Sequence, residues 1–232
     1  MVTLKNKELN SFIMFKLGTT DNNFKKSDLK RIKELELNPI FIDGKYHPIN
    51  IEELSYFPNL KYLVISNMHL DIASFAYITR LEKLYSIIFN SCTFEDLSIL
   101  SNIKVEHVGF NNSKIENLGM INRINHLKEL SLNGYNNMDL SYFFNLDLKS
   151  LDITNSTLLN SNDLSGLKKI EKLIIDNTNI MDLSFLNKLN GLKELYISKT
   201  QYMANNNIIN NLNKEKVKII IDKVFPLTGG DK

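Results

Sequence analysis

The stretch LKELYISKT, Leu192 to Thr200, decides how this chain folds. Leu192, Leu195 and Ile197 fill the first, fourth and sixth places of a pattern with earlier starts at Leu60, Leu84, Val105, Leu127, Leu148 and Ile170, and a degraded one near Lys216. Successive steps are 24, 21, 22, 21, 22, 22 and 24 residues. A fixed period of this length means one repeated supersecondary unit, which buries its apolar face only by stacking on its neighbours.

The fourth and sixth places are apolar in every unit: Leu63 and Ile65, Ile87 and Phe89, Val108 and Phe110, Leu130 and Leu132, Leu151 and Ile153, Leu173 and Ile175, Leu195 and Ile197. Two apolar residues flanking one variable residue make a short strand with one buried face. Stacked units then form a parallel sheet with strands ~4.8 Å apart. An apolar eleventh place follows (Leu70, Phe94, Ile115, Leu158, Ile180), then an acid or amide before an aliphatic: Asp71-Ile72, Asp96-Leu97, Asn117-Leu118, Asp139-Leu140, Asp163-Leu164 and Asp182-Leu183. Such a residue caps a single helical turn. About 22 residues cannot hold a strand, two bends and a long helix, so the outer wall is expected to consist of short 3₁₀ or α turns. With L-x-x-L-x-L at its head, the pattern is the signature of a leucine-rich-repeat solenoid, an α/β fold with a parallel sheet on the concave face and short turns on the convex face.

The ends are expected to cover the stack, because a terminal coil would otherwise expose an apolar rung. KELNSFIMFKL, residues 7–17, places Leu9, Phe12, Ile13 and Leu17 at helical spacing before Gly18. A second short helix is expected to start at Ser27 or Asp28, followed by a first strand at Leu35-Glu36-Leu37. Asn38-Pro39 ends that strand, and an irregular excursion through Asp43-Gly44 and His47-Pro48 leads to Leu60. Residues 203–212 read as a short helix with Ile208, Ile209 and Leu212 inward, ahead of a closing strand, KVKIIID. The expected organisation is therefore one continuous domain: a helical N-terminal cap and irregular first coil over 1–59, seven repeats over 60–215, and a closing strand and tail over 216–232.

A formal charge of +2, from 28 basic and 26 acidic residues spread along the chain, provides no strong field for nucleic acid or an anionic membrane. The single cysteine, Cys92, excludes an internal disulfide and fits a reducing compartment. The first residues carry only the apolar group Phe12 to Phe15, where a secretory leader needs a continuous apolar run, and Pro226-Leu227-Thr228-Gly229 is only a scrambled near miss of a wall-sorting signal, without the apolar stretch that would follow one, and is not expected to act as an anchor. A soluble, cytoplasmic, monomeric protein is expected. The 32 asparagines are dispersed among periodic apolar positions, which argues for compositional bias rather than an aggregating tract.

The repeats resemble the 22-residue leucine-rich repeats of bacterial internalin-like proteins, most clearly in IEKLIIDNTNIMDLSFLNKL, Ile170 to Leu189, and the stretch from Ser11 to Leu37 is similar to the helical cap that often precedes them. The resemblance implies a protein-binding solenoid. It also implies Asn at the ninth place, bonding backbone groups of neighbouring coils. Here that place holds Met68, Cys92, Ser113, Tyr135, Ser156, Thr178 and Thr200. Ser and Thr hydroxyls are expected to supply the buried ladder, with irregularity at Met68 and Tyr135.

The variable strand residues form three columns. The third places put Ser86, His107 and Glu129 on consecutive rungs, the order of a nucleophile, a base and an orienting acid, as in a serine hydrolase. A polar patch on an open sheet accounts for the same residues, because parallel rungs project side chains side by side without a pocket or fixed oxyanion donors. The four histidines (His47, His69, His107, His126) match no metal motif, and no glycine-rich phosphate loop is present, so no metal and no cofactor are expected. Cys92 reads as a buried small residue.

The fifth places run Val64, Ile88, Gly109, Ser131, Asp152, Ile174, Tyr196 and Ile220, apolar at both ends. Exposed apolar side chains there, with Tyr62 beside them, mark contact points for another protein. The expected function is a non-enzymatic interaction module holding a polypeptide on its concave sheet. Tyr196 and Ile174 are one anchor, Tyr62, Val64 and Ile88 a second, and His107, Glu129, Asp152, Lys172, Asp176 and Glu194 lie around them. An intracellular inhibitor or immunity-type protein and a fragment of a surface adhesin are the alternative readings.

Overall fold

In the computed structural model the structure describes residues 1–42, 45–47 and 49–222. The Asp43-Gly44 and Pro48 breaks, the tail from Lys223 and the side chains of His47 and Asp163 lie outside the described residues. The chain divides into two compact units, Met1–Leu127 and Lys128–Lys232.

The first unit opens with β1 (Val2–Thr3) and α1 (Lys7–Leu17). Asn6 caps α1 by accepting from the Leu9 N–H at 2.7 Å, and Gly18 ends it in the left-handed region at φ 64°, a conformation that glycine adopts without strain. Leu9 and Ile13 form its buried stripe. β2 (Asn23–Phe24) returns antiparallel to β1, a pairing absent from the periodicity. The next helix, α2 (Lys26–Leu29), is a single turn preceded by Lys25 with no side-chain cap, rather than one started by Ser27 or Asp28.

β3 (Glu34–Leu37) is the first strand of a parallel ladder, and a small antiparallel pair, β4 (Ile40–Ile42) with β5 (Lys45–His47), precedes the next coil. The ladder continues through β6 (Tyr62–Ser66), β8 (Ser86–Asn90) and β10 (His107–Asn111). Between them, β7 (His69–Leu70) pairs with β9 (Thr93–Phe94). The inward residues Leu63, Ile65, Ile87, Phe89, Val108 and Phe110 are at most 1% exposed. Each such side chain contributes ~1.5–3 kcal/mol on burial. Phe at two successive sixth places is accommodated by stacking, Phe89 on Phe110 at 5.3 Å, with Phe94 edge-on to both.

In the second unit β11 (Glu129–Asn133), β12 (Ser150–Asp152), β13 (Lys172–Ile174), β14 (Glu194–Ile197) and β15 (Lys218–Ile221) form a parallel ladder in a register that aligns their fourth places. Leu130, Leu151, Leu173 and Leu195 are at most 1% exposed. The last coil carries two helices, α4 (Lys199–Ala204) and α5 (Asn206–Lys214), instead of the single helix expected. Ile209 and Leu212 are buried as expected, and Ile208 is half-exposed.

Turns of the expected kind connect the strands: α3 (Ile72–Ile78) and 3₁₀ turns at Ser98–Asn102, Leu118–Arg123, Leu140–Phe143, Ser161–Gly166 and Ser184–Lys188. Asp71 accepts from the Ser74 N–H, Asp96 from Ser98, Asn117 from Gly119, Asp139 from Ser141 and Asp182 from Ser184, all at 2.7–2.9 Å. Hydrogen bonds from the Ser74, Ser98 and Ser141 hydroxyls hold Asp71, Asp96 and Asp139 below the ordinary carboxylate range.

The eighth place accounts for four of the 32 asparagines. Asn67, Ser91, Asn112, Gly134, Asn155 and Asn177 all take positive φ, between 49° and 81°, where the strand turns out of the sheet. Asn tolerates this conformation better than other residues with a side chain, so these asparagines serve a local backbone need and are more than compositional bias.

The ninth-place ladder is built as expected at Ser113, whose hydroxyl donates to Phe89 O at 3.0 Å, and at Ser156, which donates to Leu132 O at 2.9 Å. The Cys92 thiol reaches Ile65 O at 3.3 Å in the same way, and burial pushes its pKa up, so it is held as an inert thiol. Thr178 turns back to Ile175 O of its own coil at 2.8 Å, and Thr200 is exposed. Gln201, 1% exposed, takes over the ladder there, its amide donating to Ile175 O and Ile180 O. The ladder is interrupted at Tyr135, whose hydroxyl is buried without a hydrogen-bond partner, and that burial raises its pKa.

Two outcomes follow. Ser113→Ala strands Phe89 O and the Cys92 N–H and is expected to destabilise the protein by ~1–3 kcal/mol in urea unfolding, whereas Tyr135→Phe removes an unsatisfied buried hydroxyl and leaves stability unchanged or higher. A larger loss from Tyr135→Phe than from Ser113→Ala contradicts this account. The second concerns pH. The folded pKa values of Asp71, Asp96 and Asp139 lie below their unfolded values, so their contribution is complete above the ordinary aspartate range and disappears as pH falls through it. Asn at all three positions keeps the accepting oxygen but not the charge, and this variant is expected to lose less stability on acidification from pH 7 to about pH 3 than the parent.

Candidate functional site

The strand face pointing away from the core carries the candidate contact residues, because alternation sends third, fifth and seventh places to that side. In the first unit Tyr62 stands 46% exposed, and Tyr85 meets it edge-on at 6.0 Å between ring centres. Val64 and Ile88 are neighbours across the ladder and half-buried. Gly109 is the next place along, and a β-carbon there would lie 3.3 Å from the Ile88 side chain, so glycine lets Ile88 settle onto the sheet.

Ser86 and His107 are brought together as the sequence suggested, with Ser86 Oγ 2.8 Å from His107 Nδ1. The pair has the spacing of a nucleophile and its base. Ser86 is only 5% exposed, however, and the backbone N–H groups of both residues donate to Lys61 O and Tyr85 O within the ladder. Those donors are thereby spent, and an acyl-transfer oxyanion needs donors aimed at it. Glu129 belongs to the second unit.

In the second unit Glu129, Asp152, Lys172, Asp176, Glu194 and Tyr196 are all half-buried. Ile174 departs from expectation: it is 4% exposed, packed between its ladder neighbours Asp152 and Tyr196, and supports the face rather than offering a free anchor. Tyr196 is held from two sides, with Lys172 Nζ 5.3 Å above its ring and its hydroxyl donating to Glu194 Oε2 at 2.9 Å. That bond holds Glu194 below the ordinary glutamate range, and burial raises Tyr196. Asp152 accepts from both the N–H and the hydroxyl of Thr154. Along the strand starts Glu171 lies between Lys193, at 2.5 Å, and Lys149, at 3.2 Å, which lower its pKa in that order.

The reading of exposed columns overlooked Tyr85, at the second place, whose partnership with Tyr62 becomes visible only when the rungs are stacked. Gln201 was also missed, although Ser198-x-x-Gln201 has the spacing of a helix capping box, and both capping bonds are present. Among the described residues no group of three or more His, Cys, Asp or Glu could hold a metal ion, and no helix is long and apolar enough to cross a membrane.

Neither a family model nor a curated protein sequence matches the chain. Solved structures do. An internalin (inlF) from Listeria monocytogenes aligns over 88% of this chain and 60% of its own, with 21% identity and a TM-score of 0.55. A leucine-rich-repeat protein from Leptospira interrogans covers 85% and 51%, with 20% identity and a TM-score of 0.52. The Arabidopsis receptor kinase HAESA, solved with the peptide hormone IDA and the co-receptor SERK1, covers 72% and 31%, with 15% identity and a TM-score of 0.50. The chain thus spans less than two thirds of each of these proteins. Strands recurring every 21–24 residues, parallel in each unit, dry at the fourth and sixth places and joined by capped 3₁₀ turns, give this chain the leucine-rich-repeat solenoid fold.

Proposed function

We propose that this protein is a non-enzymatic interaction module that holds a polypeptide partner against the strand faces turned away from its core. Tyr62 carries the reading: a tyrosine 46% exposed on a sheet face, beside Tyr85, Val64 and Ile88. Apolar and aromatic groups at a surface cost solubility until they are covered. Tyrosine in particular buries a large rigid area at small entropic cost, which is why it recurs at binding hot spots. In the second unit Tyr196, pinned by Lys172 and Glu194, is the corresponding anchor, with Ile174 as its buried support. His107 in the first unit, and Glu129, Asp152 and Asp176 in the second, are half-buried polar groups that would set specificity. HAESA, of similar fold, holds a peptide in its solved structure, which supports a polypeptide ligand here. On the same footing we place the protein in the cytoplasm, acting as a monomer.

A photo-crosslinking amino acid substituted for Tyr62, for Tyr196 or for Tyr142, which is 45% exposed on an outer turn, tests this reading in native cells. Positions 62 and 196 are expected to give an adduct of the same discrete mass and position 142 none. Adducts from position 142 alone, or equally from all three, place the partner elsewhere.

A further inference from the structure

The two units treat the tyrosine on the strand face differently. In the second, the chain supplies its own cation, Lys172 Nζ lying 5.3 Å above the Tyr196 ring while the tyrosine hydroxyl bonds Glu194. In the first, the rung beside Tyr62 and Val64 presents Glu34 and Glu36, their direct partners in the ladder, and both glutamates are exposed. The third and fifth places of the four ladder strands in this unit, β3, β6, β8 and β10, hold no Lys or Arg. Glu34 reaches Lys16 only at 3.9 Å, with 66% of its side chain exposed. Among the described residues Glu36 makes no ion pair, and no cation lies over the Tyr62 ring. Two exposed carboxylates, only one of them within 4 Å of a cation, and an aromatic face with none therefore stand side by side.

We infer that this edge of the first unit binds a polypeptide segment in which an Arg or Lys lies close to an apolar residue. Adjacent rungs are ~4.8 Å apart, so a basic head placed on Glu34, the direct partner of Tyr62, can lie within the ~6 Å at which a cation is attracted to the tyrosine ring, with Glu36 on the same strand adding to the negative field. Arginine fits best, because its planar guanidinium both stacks on an aromatic ring and bonds a carboxylate through two N–H groups. The apolar neighbour then covers Val64 and Ile88. The inference rests on the proposed function and specifies the partner's chemistry at that site.

Random dodecapeptides displayed on phage and selected on the full chain provide the test, with the best synthetic peptide titrated against the parent, Glu34→Gln/Glu36→Gln and Tyr62→Ala. All three positions are exposed, and thermal melts of the variants verify folding. Enriched sequences are expected to carry Arg or Lys within about four residues of an aliphatic or aromatic side chain. The double glutamine variant and Tyr62→Ala are each expected to weaken binding by about five- to tenfold, and raising the salt is expected to weaken the parent but not the glutamine variant. Selection of neutral or acidic sequences, no enrichment, or a basic peptide indifferent to Glu34 and Glu36 overturns the inference. A cross-link from position 62 to a partner segment without basic residues does so as well, while leaving the proposed function standing.

Discussion

The structure depends on the removal of two alternate side chains per coil from water. A single coil cannot do this, since its fourth and sixth residues project from one face of a strand only three to five residues long. They become dry when the next coil's equivalents lie against them, which forces a parallel register and a near-constant spacing between repeats. Leu63 to Phe110 in the first unit and Leu130 to Ile197 in the second meet the condition almost completely. At β15, the last described strand, Ile219 is half-exposed and Ile221 is 39% exposed, as expected where no further described rung is stacked on them.

Stacking coils this closely buries carbonyl groups where each strand ends, and those acceptors need donors. The chain finds them in whichever short polar side chain stands at the ninth place. Serine does so at positions 113 and 156, and cysteine substitutes at 92. Glutamine reaches in from the neighbouring position at 201. Asn, Ser or Gly at the preceding place supplies the positive φ that turns the strand outward. In the coils that carry Cys92, Ser113 and Ser156, polar satisfaction and backbone conformation are thus solved together at adjacent positions.

The face left over by this arrangement is an open row of side chains. Its side chains stand on parallel rungs with their backbone donors already engaged, so even a hydroxyl 2.8 Å from an imidazole nitrogen, as at Ser86 and His107, has no oriented N–H group of its own rungs with which to stabilise an oxyanion. What the face does present is a set of rigidly spaced groups. Tyr196 is already paired with a cation and a carboxylate from its own unit, whereas Tyr62 has Glu34 on one adjacent rung, Ser86 on the other and, among the described residues, no cation over its ring.

Periodicity alone established the strands of the parallel ladder, their inward residues, the capped outer turns and the helix ending at Gly18, because each rests on regular spacing along the chain. The role of four asparagines, Asn67, Asn112, Asn155 and Asn177, follows from their shared eighth place in the repeat and not from composition. Side-chain partnerships between coils were not legible. That Ile174 is covered while Tyr62 is not, that Tyr85 turns edge-on to Tyr62, and that Gln201 rather than Thr200 reaches the buried carbonyl all depend on residues 21–26 positions apart in the chain meeting across a rung. A one-dimensional period specifies which residues share a column. Only packing in three dimensions decides which member of the column shades its neighbour, since exposure depends on the volumes and rotamers of the groups on both adjacent rungs.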